Sequence, residues 1–384
     1  MPPIRTLHVD VEGGWGGSSR SLFELVSRLP RDRFAPAVVH RQRGPVEQRY
    51  AAIGIETVHV PELGTYVPRR NGALRNLAAK LPELLPARNA ARRLCGIADR
   101  FGSQIVHLNH EGLFLVGNLL KSRQRRPIVV HCRASGVAEN AIGRWFAGSI
   151  ARAADHVFFI SPNEERWFRR ASRAAKVPGE VMWNIASAPR ARQPLPETPE
   201  AVYLGNIDRS KGVDRLFEIA KALDEMRAPP LRIAVFGAAR NGGGFARSFL
   251  ERAGAPALAD RIVYRGHTTD PEAVLAGAFA LLRVSRTNDP WGRDVIEAAR
   301  NGVPVLATGS YDGVVRPGVT GFLFPAFDAG QVALRLAELA RDPGQWGRMS
   351  AAAAAFAEEQ FGGGRQVHQF EAAVRRLTLA TDRN

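Results

Sequence analysis

The feature that most constrains this chain is an alternation of strand-like and helix-like segments that runs twice and is broken once by proline. Short apolar runs recur at IRTLHVDV (4–11), APAVVH (35–40), QIVHL (104–108), PIVVHC (127–132) and HVFFI (156–160). They return at EAVYLG (200–205), LRIAVFG (231–237), FALLRV (279–284) and GVPVLAT (302–308). Between them lie stretches with apolar residues every three or four positions, such as SRSLFELVSRL (19–29), VDRLFEIAKALDEM (213–226) and AGQVALRLAELARD (329–342). Unbroken apolar strands separated by amphipathic helices predict parallel sheets covered on both faces. The expected fold class is α/β, with two doubly wound parallel-sheet domains facing each other across a cleft. Ligands of such sheets bind beyond the carboxyl ends of the strands, so the chemistry is expected in that cleft.

The break falls at ASAPRARQPLPETP (186–199), where Pro189, Pro194, Pro196 and Pro199 forbid both helix and central strand. It reads as a linker between a first domain at 1–185 and a second at 200–363. A length of 384 residues suits two domains.

Charge separates the two halves. The chain carries 53 Lys and Arg against 37 Asp and Glu, a net +16. Before residue 195 there are 30 basic and 15 acidic residues, and after it 23 and 22. The excess collects at 69–93, at KSRQRRP (121–127) and at WFRRASRAAK (167–176). An anionic partner is expected for the first half. Nucleic acid is set aside because no helix-turn-helix, zinc or aromatic RNA-binding signature accompanies the charge. A surface docked on anionic lipid remains, each near-surface cation adding on the order of 1 kcal/mol.

Three other classes are excluded by composition and pattern. Two cysteines, Cys95 and Cys132, make neither a disulfide framework nor a zinc site, which points to a reducing, cytoplasmic compartment. The start, MPPIRTLHVDV, alternates like a strand and has no signal-peptide pattern. The longest apolar runs, such as GLFLVGNLL (112–120), are about half the ~20 residues a membrane span requires.

Four strand-to-helix turns carry the functional signal. EGGWGGSSRSL (12–22) sets Gly13, Gly14, Gly16 and Gly17 before a helix expected to be capped by Ser18 or Ser19. A glycine loop leading into a helix N-terminus suits an anion such as a diphosphate. GNIDRSKG (205–212) places Asn206, Arg209 and Lys211 on a loop entering a helix, suited to phosphate oxygens. RTNDPWGRDVIEAARNGVPVLAT (286–308) presents Asp289 on a turn with Trp291 and Gly292, and Glu297 about one turn into the helix that follows. Carboxylates there can accept hydrogen bonds from vicinal sugar hydroxyls. IVHLNHEGLFL (105–115) offers two histidines: His107 inside the strand and His110 beyond its end. His131 and Arg133, at the end of VVHCRAS, also stand at a strand end.

These segments resemble the retaining GT-B glycosyltransferases of family 4, which includes bacterial envelope and exopolysaccharide enzymes. GGSSRSLFEL (16–25) is similar to the family's first glycine loop, GNIDRSKGVDRL (205–216) to its G-R-L-x-x-x-K-G segment, and DPWGRDVIEAARNGVPVLAT to its second acidic motif. GVTGFLFP (318–325) matches the strand that follows. The resemblance spans essentially the whole chain. It implies transfer of a hexose from a UDP- or GDP-linked sugar to a glycan or lipid-linked acceptor hydroxyl with retention, in lipopolysaccharide, capsule or exopolysaccharide assembly. It implies no metal and no other cofactor, since the chain's own dipoles and cations would stabilise the departing diphosphate.

By residue, the resemblance gives Lys211 the donor diphosphate, Glu297 the ribose hydroxyls and Asp289 the sugar hydroxyls. Trp291 and Gly292 would support the sugar through backbone amides, and His267, after YRG, would meet the nucleobase. Gly16 and Gly17 would allow close approach to the donor. His110 is the expected contact near the reacting centre, with His131 or Arg133 on the acceptor side. Asp289 stands where the family usually has glutamate, and Asn206 replaces an arginine, a loss that Arg209 is expected to offset. A helix after FGGG (361–364), within 364–384, would pack back on the first domain. With the charge distribution, the resemblance places the enzyme on the inner face of the cytoplasmic membrane. The nearest rival classes are a GT-B sugar-nucleotide epimerase, which needs further acid/base residues, and a phosphorylase, which needs a lysine-bound pyridoxal group.

Overall fold

The computed structural model describes residues 2–68, 81–82, 85–133, 137–172, 177–239, 244–286 and 291–381. It divides into two compact units, one formed by Met1–Ile185 together with Gly363–Asn384, the other by Ala186–Gly362.

In the first unit seven strands pair in parallel: β1 (Ile4–Asp10), β2 (Phe34–His40), β3 (Thr57–His59), β4 (Ile105–Leu108), β5 (Ile128–Cys132), β6 (His156–Phe159) and β7 (Gly179–Val181). Their order is β3-β2-β1-β4-β5-β6-β7. The helices are α1 (Gly17–Arg28), α2 (Pro45–Ala52), α3 (Ala87–Phe101), α4 (Phe114–Lys121), α5 (Ala141–Ala153) and α6 (Pro162–Ser172). Both faces of the sheet are covered, which is why its central strands are apolar throughout. One face packs Leu94, Ile97, Leu120, Phe146, Ile150 and Phe168 against Val9, Val106 and Val130. The other packs Leu25 and Leu29 of α1 against Ile105, Val129 and Phe158.

The second unit holds β8 (Glu200–Leu204), β9 (Arg232–Phe236), β10 (Ile262–Gly266), β11 (Ala280–Arg283), β12 (Val305–Thr308) and β13 (Gly321–Phe324). Their order is β10-β9-β8-β11-β12-β13, again all parallel. Its helices are α7 (Arg215–Glu225), α8 (Gly244–Ala253), α9 (Pro271–Gly277), α10 (Arg293–Arg300), α11 (Ala329–Arg341) and α12 (Pro343–Phe361). Leu216, Phe217, Leu223, Phe249, Leu336 and Met349 cover Tyr203, Val235, Leu282 and Leu306. No described helix is long and apolar enough to cross a membrane.

After the second unit the chain returns to the first through α13 (Gly364–Thr381). Phe370 of α13 is fully buried and stacks on His8 at 5.6 Å and against His107 at 5.4 Å. Arg33 forks both oxygens of Glu371 at 2.6 and 2.8 Å. Gln369 reaches Glu180 and the Val181 carbonyl.

One local expectation is corrected. Helix α1 is capped by Gly16 in extended conformation and not by Ser18 or Ser19, with no side-chain cap bond. Both serines already lie inside the first turn, past the position from which a hydroxyl can accept the free N–H groups. The Ser19 hydroxyl is buried without a hydrogen-bond partner.

Candidate functional site

Each sheet reverses its strand order once, between β1 and β4 in the first unit and between β8 and β11 in the second. At such a switch the two loops leaving adjacent strands diverge and open a crevice for ligand. The expected site residues can be placed against these two points.

In the second unit the loop after β8 carries Asn206, Arg209 and Lys211. Asp208 caps a short turn at Arg209–Lys211 by accepting from the Ser210 amide at 2.8 Å. The Ser210 hydroxyl donates to the same carboxylate and holds Asp208 below the usual carboxylate range. Gly212 ends the turn at φ +71°, and a Cβ there would lie 2.0 Å from the Val284 carbonyl oxygen. Only glycine both takes that conformation and lets the loop lie against the end of β11. Lys211 and Arg209 are exposed, and neither makes an ion pair among the described residues. The Asn206 carbonyl accepts from the buried Tyr203 hydroxyl at 3.0 Å.

The loop after β11 is stitched to this one. Arg286 forks Asp214 at 2.6 and 2.7 Å, and its Nη1 also donates to the Arg209 carbonyl at 2.7 Å. Its amide donates to the Ser210 carbonyl at 2.9 Å. Arg215 donates back to the carbonyls of Val284 and Ser285, each at 3.0 Å. The Arg286 guanidinium holds the Asp214 carboxyl below its ordinary range, and the bond in turn raises Arg286.

Trp291 is buried and Gly292 caps α10 in extended backbone. Glu297, in the second turn of α10, is 2 % exposed and accepts from Arg293, one turn earlier, at 2.9 Å to Nε and 2.6 Å to Nη2. Arg293 also reaches the Ser187 hydroxyl at 3.4 Å. A second pair, Arg283 with Asp294, braces the start of the same helix at 2.8 and 2.9 Å. The N-terminus of α10 and the Lys211 loop thus leave neighbouring strands. His267 is exposed just beyond β10, with β9 and β8 between it and the switch. Asp289 lies outside the described residues.

In the first unit the loop after β1 carries Gly16 at the cap and Gly17 at the start of α1. Gly13 is required by packing, since a Cβ would sit 1.4 Å from the Gln42 carbonyl oxygen. Across the switch, His110 follows β4 and accepts from the Gly112 amide through Nδ1 at 2.9 Å. The proton of the neutral ring is therefore on Nε2, leaving that N–H as donor. His107 lies within β4, fully buried, its Nδ1 3.0 Å from Nδ1 of His8. Asn109 donates to the Asp10 carboxylate at 3.4 Å and to the Ser18 carbonyl at 3.1 Å.

Arg133 and His131 part company. The Arg133 guanidinium reaches Asn109 Oδ1 at 2.7 Å and Asn184 Oδ1 at 2.6 Å, and its amide donates to Glu111 at 2.8 Å. His131 is 2 % exposed, with its ring between His107 and Phe158. It does not line an open acceptor surface as expected. Its Nδ1 accepts from Arg133 at 3.3 Å, so it supports that arginine from below. Burial first, and then the Arg133 charge, push the His131 pKa well below its ordinary value and keep the ring neutral.

Residues 16–182 match the model of the glycosyl transferase 4-like domain, and residues 187–356 match the model of glycosyl transferases group 1. The chain belongs to the family 4 type of GT-B glycosyltransferases. HepE of Anabaena, solved with UDP and glucose, superposes with a TM-score of 0.76 at 19% identity over 97% of this chain and 100% of its own. Sucrose-phosphate synthase of Thermosynechococcus elongatus gives 0.73 at 20% identity, over 98% and 100%. A glycosyltransferase of Rickettsia africae gives 0.77 at 14%, over 98% and 99%. Among curated proteins none matches the sequence. In this glycosyltransferase the residues that sequence reasoning missed are Arg286, Asp214, Arg215 and Arg293. All four lie within or beside the motif segments, but their roles rest on partners that the order of residues does not display, such as Asp214 for Arg286 and the Val284 carbonyl for Arg215.

Proposed function

We propose that this glycosyltransferase moves a hexose from a UDP- or GDP-linked donor to a hydroxyl of a glycan or lipid-linked acceptor with retention of configuration. The reading extends to lipopolysaccharide, capsule or exopolysaccharide assembly on the inner face of the cytoplasmic membrane, with the basic first unit against anionic lipid. The observation that carries it is the switch of the second sheet, where the Lys211 loop and the N-terminus of α10 emerge side by side. A nucleoside diphosphate meets two exposed cations there, and Glu297 supplies an acceptor for ribose hydroxyls. Asp289 would take the sugar hydroxyls, with the amides of Trp291 and Gly292 beside it, and His267 the nucleobase. The complexes of HepE with UDP and with UDP-glucose favour a uridine donor.

The bond to the anomeric carbon breaks as negative charge builds on the leaving diphosphate. Lys211 and Arg209 would meet that charge from a loop whose backbone is braced before the reaction starts, and preorganised electrostatics of this kind contribute most to catalysis. Arg209 replaces the cation absent at Asn206, and the charge needs no metal ion. By the family resemblance Gly16 and Gly17 would let the backbone approach the donor, His110 would offer Nε2–H to a hydroxyl of the reacting sugar, and Arg133 would serve the acceptor side.

Incubation with UDP-, GDP- and ADP-sugars in the presence of EDTA, with nucleotide release followed by mass spectrometry, tests the reading. Release from one donor is expected, reduced at least about a hundredfold by Lys211→Ala, equivalent to about 2.7 kcal/mol of transition-state stabilisation. Turnover unaffected by Lys211→Ala would remove the basis of the site assignment.

A further inference from the structure

The first unit has a second basic feature, on the edge of the sheet opposite its switch. The chain enters β4 through Gln104 and β5 through Arg123–Pro127, so these residues gather at the amino-terminal ends of the strands. There, a cavity of about 520 Å³ is lined by Asp99, Gln104, Arg123, Arg125, Arg126 and Thr378. Pockets of ~300–1,000 Å³ are the size that small ligands occupy. The glycine loop and His110 leave the other ends of these strands, at least a strand length away, roughly 13–16 Å.

The local acids are spoken for. Lys121 takes both oxygens of Asp155 at 2.5 Å, and Arg126 takes Asp99 at 2.5 Å and the Ser103 carbonyl at 2.6 Å. Gln124 closes on its own turn, accepting from the Arg126 amide and donating to the Arg126 carbonyl, which fixes the arginines on either side of it. Arg123 spends one N–H on the Leu119 carbonyl at 3.1 Å. Arg125 makes no hydrogen bond or ion pair among the described residues. Three guanidiniums and one carboxylate thus line one concavity, with most donors of Arg123 and Arg125 unspent. Planar guanidinium forks match the oxygens of phosphate bidentately, and a phosphate's second negative charge suits a concavity with more than one unspent cation.

We propose that this cavity is a binding site for a phosphate group, separate from the donor site. The group is carried either by a lipid headgroup or by a soluble phosphate. The site uses none of the residues assigned to transfer.

Isothermal titration of the full chain with inorganic pyrophosphate, with UDP held saturating, tests it. One saturable event is expected, weakened about tenfold or more in an Arg123→Ala/Arg125→Ala chain and unchanged in Lys211→Ala. Both arginines are exposed, so the double variant keeps its fold, which a thermal melt checks. UDP affinity, measured separately, stays at the wild-type value in the double variant. Failure of the donor reading would show instead as UDP binding that ignores Lys211→Ala. Absence of the event, equal affinity in the double variant, or its loss in Lys211→Ala overturns the proposal. Co-sedimentation with phosphatidylglycerol and phosphatidylcholine vesicles then assigns the source. Loss of phosphatidylglycerol binding in the double variant marks a lipid headgroup, and unchanged sedimentation marks a soluble phosphate.

Discussion

Three histidines, His8, His107 and His131, sit in adjacent strands with their rings under Phe370 and Phe158, where charge is strongly disfavoured. Burial lowers His8 to about 3 and pushes His107 well below its ordinary value. A histidine near 6.5 in the unfolded chain and about 3 in the folded one is neutral in both above 6.5. Below that value the unfolded chain takes the proton first. The contribution of His8 is therefore complete above about 6.5 and falls by up to ~1.4 kcal/mol per pH unit down to about 3. Urea midpoints at pH 7 and pH 4.5 are expected to differ less for His8→Leu than for the unaltered chain. An equal difference would place the acid sensitivity elsewhere. His110, two residues beyond the end of the same strand, is outside this row and keeps a ring edge at the surface, so two histidines three residues apart stand in different surroundings.

At the scale of elements, the two loops at the second switch act as one body because Arg286 and Arg215 cross between them. The Arg286–Asp214 pair is about one-third exposed on both sides and contributes little to overall stability. Its effect is local order. Arg286→Ala is expected to raise the donor KM several-fold with the melting temperature nearly unchanged, and Asp214→Asn to do the same without adding to it. A large drop in melting temperature with KM unchanged would make the pair merely structural. Such clamps are invisible in one dimension, since Arg286 and Asp214 are 72 residues apart. What was legible were the long apolar strands and the glycine-bounded loops, whose patterns are local. Strands β3 and β7 were not: each has three half-buried residues at or near a sheet margin, too few for a period to show. Helix α3 was masked differently. Its arginines read as a charged surface, while Ala90, Ala91, Leu94 and Ile97 on the other face are buried. The fate of Glu297 was half legible, as a carboxylate on a helix start, but its burial against Arg293 needed the fold.

At the scale of the molecule, the second unit is an uninterrupted segment and the first is not. Its two ends meet, with the Ala186 amide donating to the Phe361 carbonyl at 2.9 Å. Residues 186–362 expressed alone are expected to unfold in one cooperative transition and to bind UDP, as calorimetry and titration would show. Residues 1–185 alone are expected to aggregate, because the strip around Ile105, Val129 and Phe158 is closed by Phe370, Ala373 and Val374 of α13. A soluble, cooperatively melting 1–185 fragment would contradict this.

That same closure sets an order of events on the ribosome. The sheet of the first unit is synthesised early, yet the helix that seals it emerges only after the whole of 186–362. At ~5–20 residues per second the interval is roughly 10–40 s. During it the second unit can fold completely, while the first carries an open apolar strip that a holding chaperone would cover.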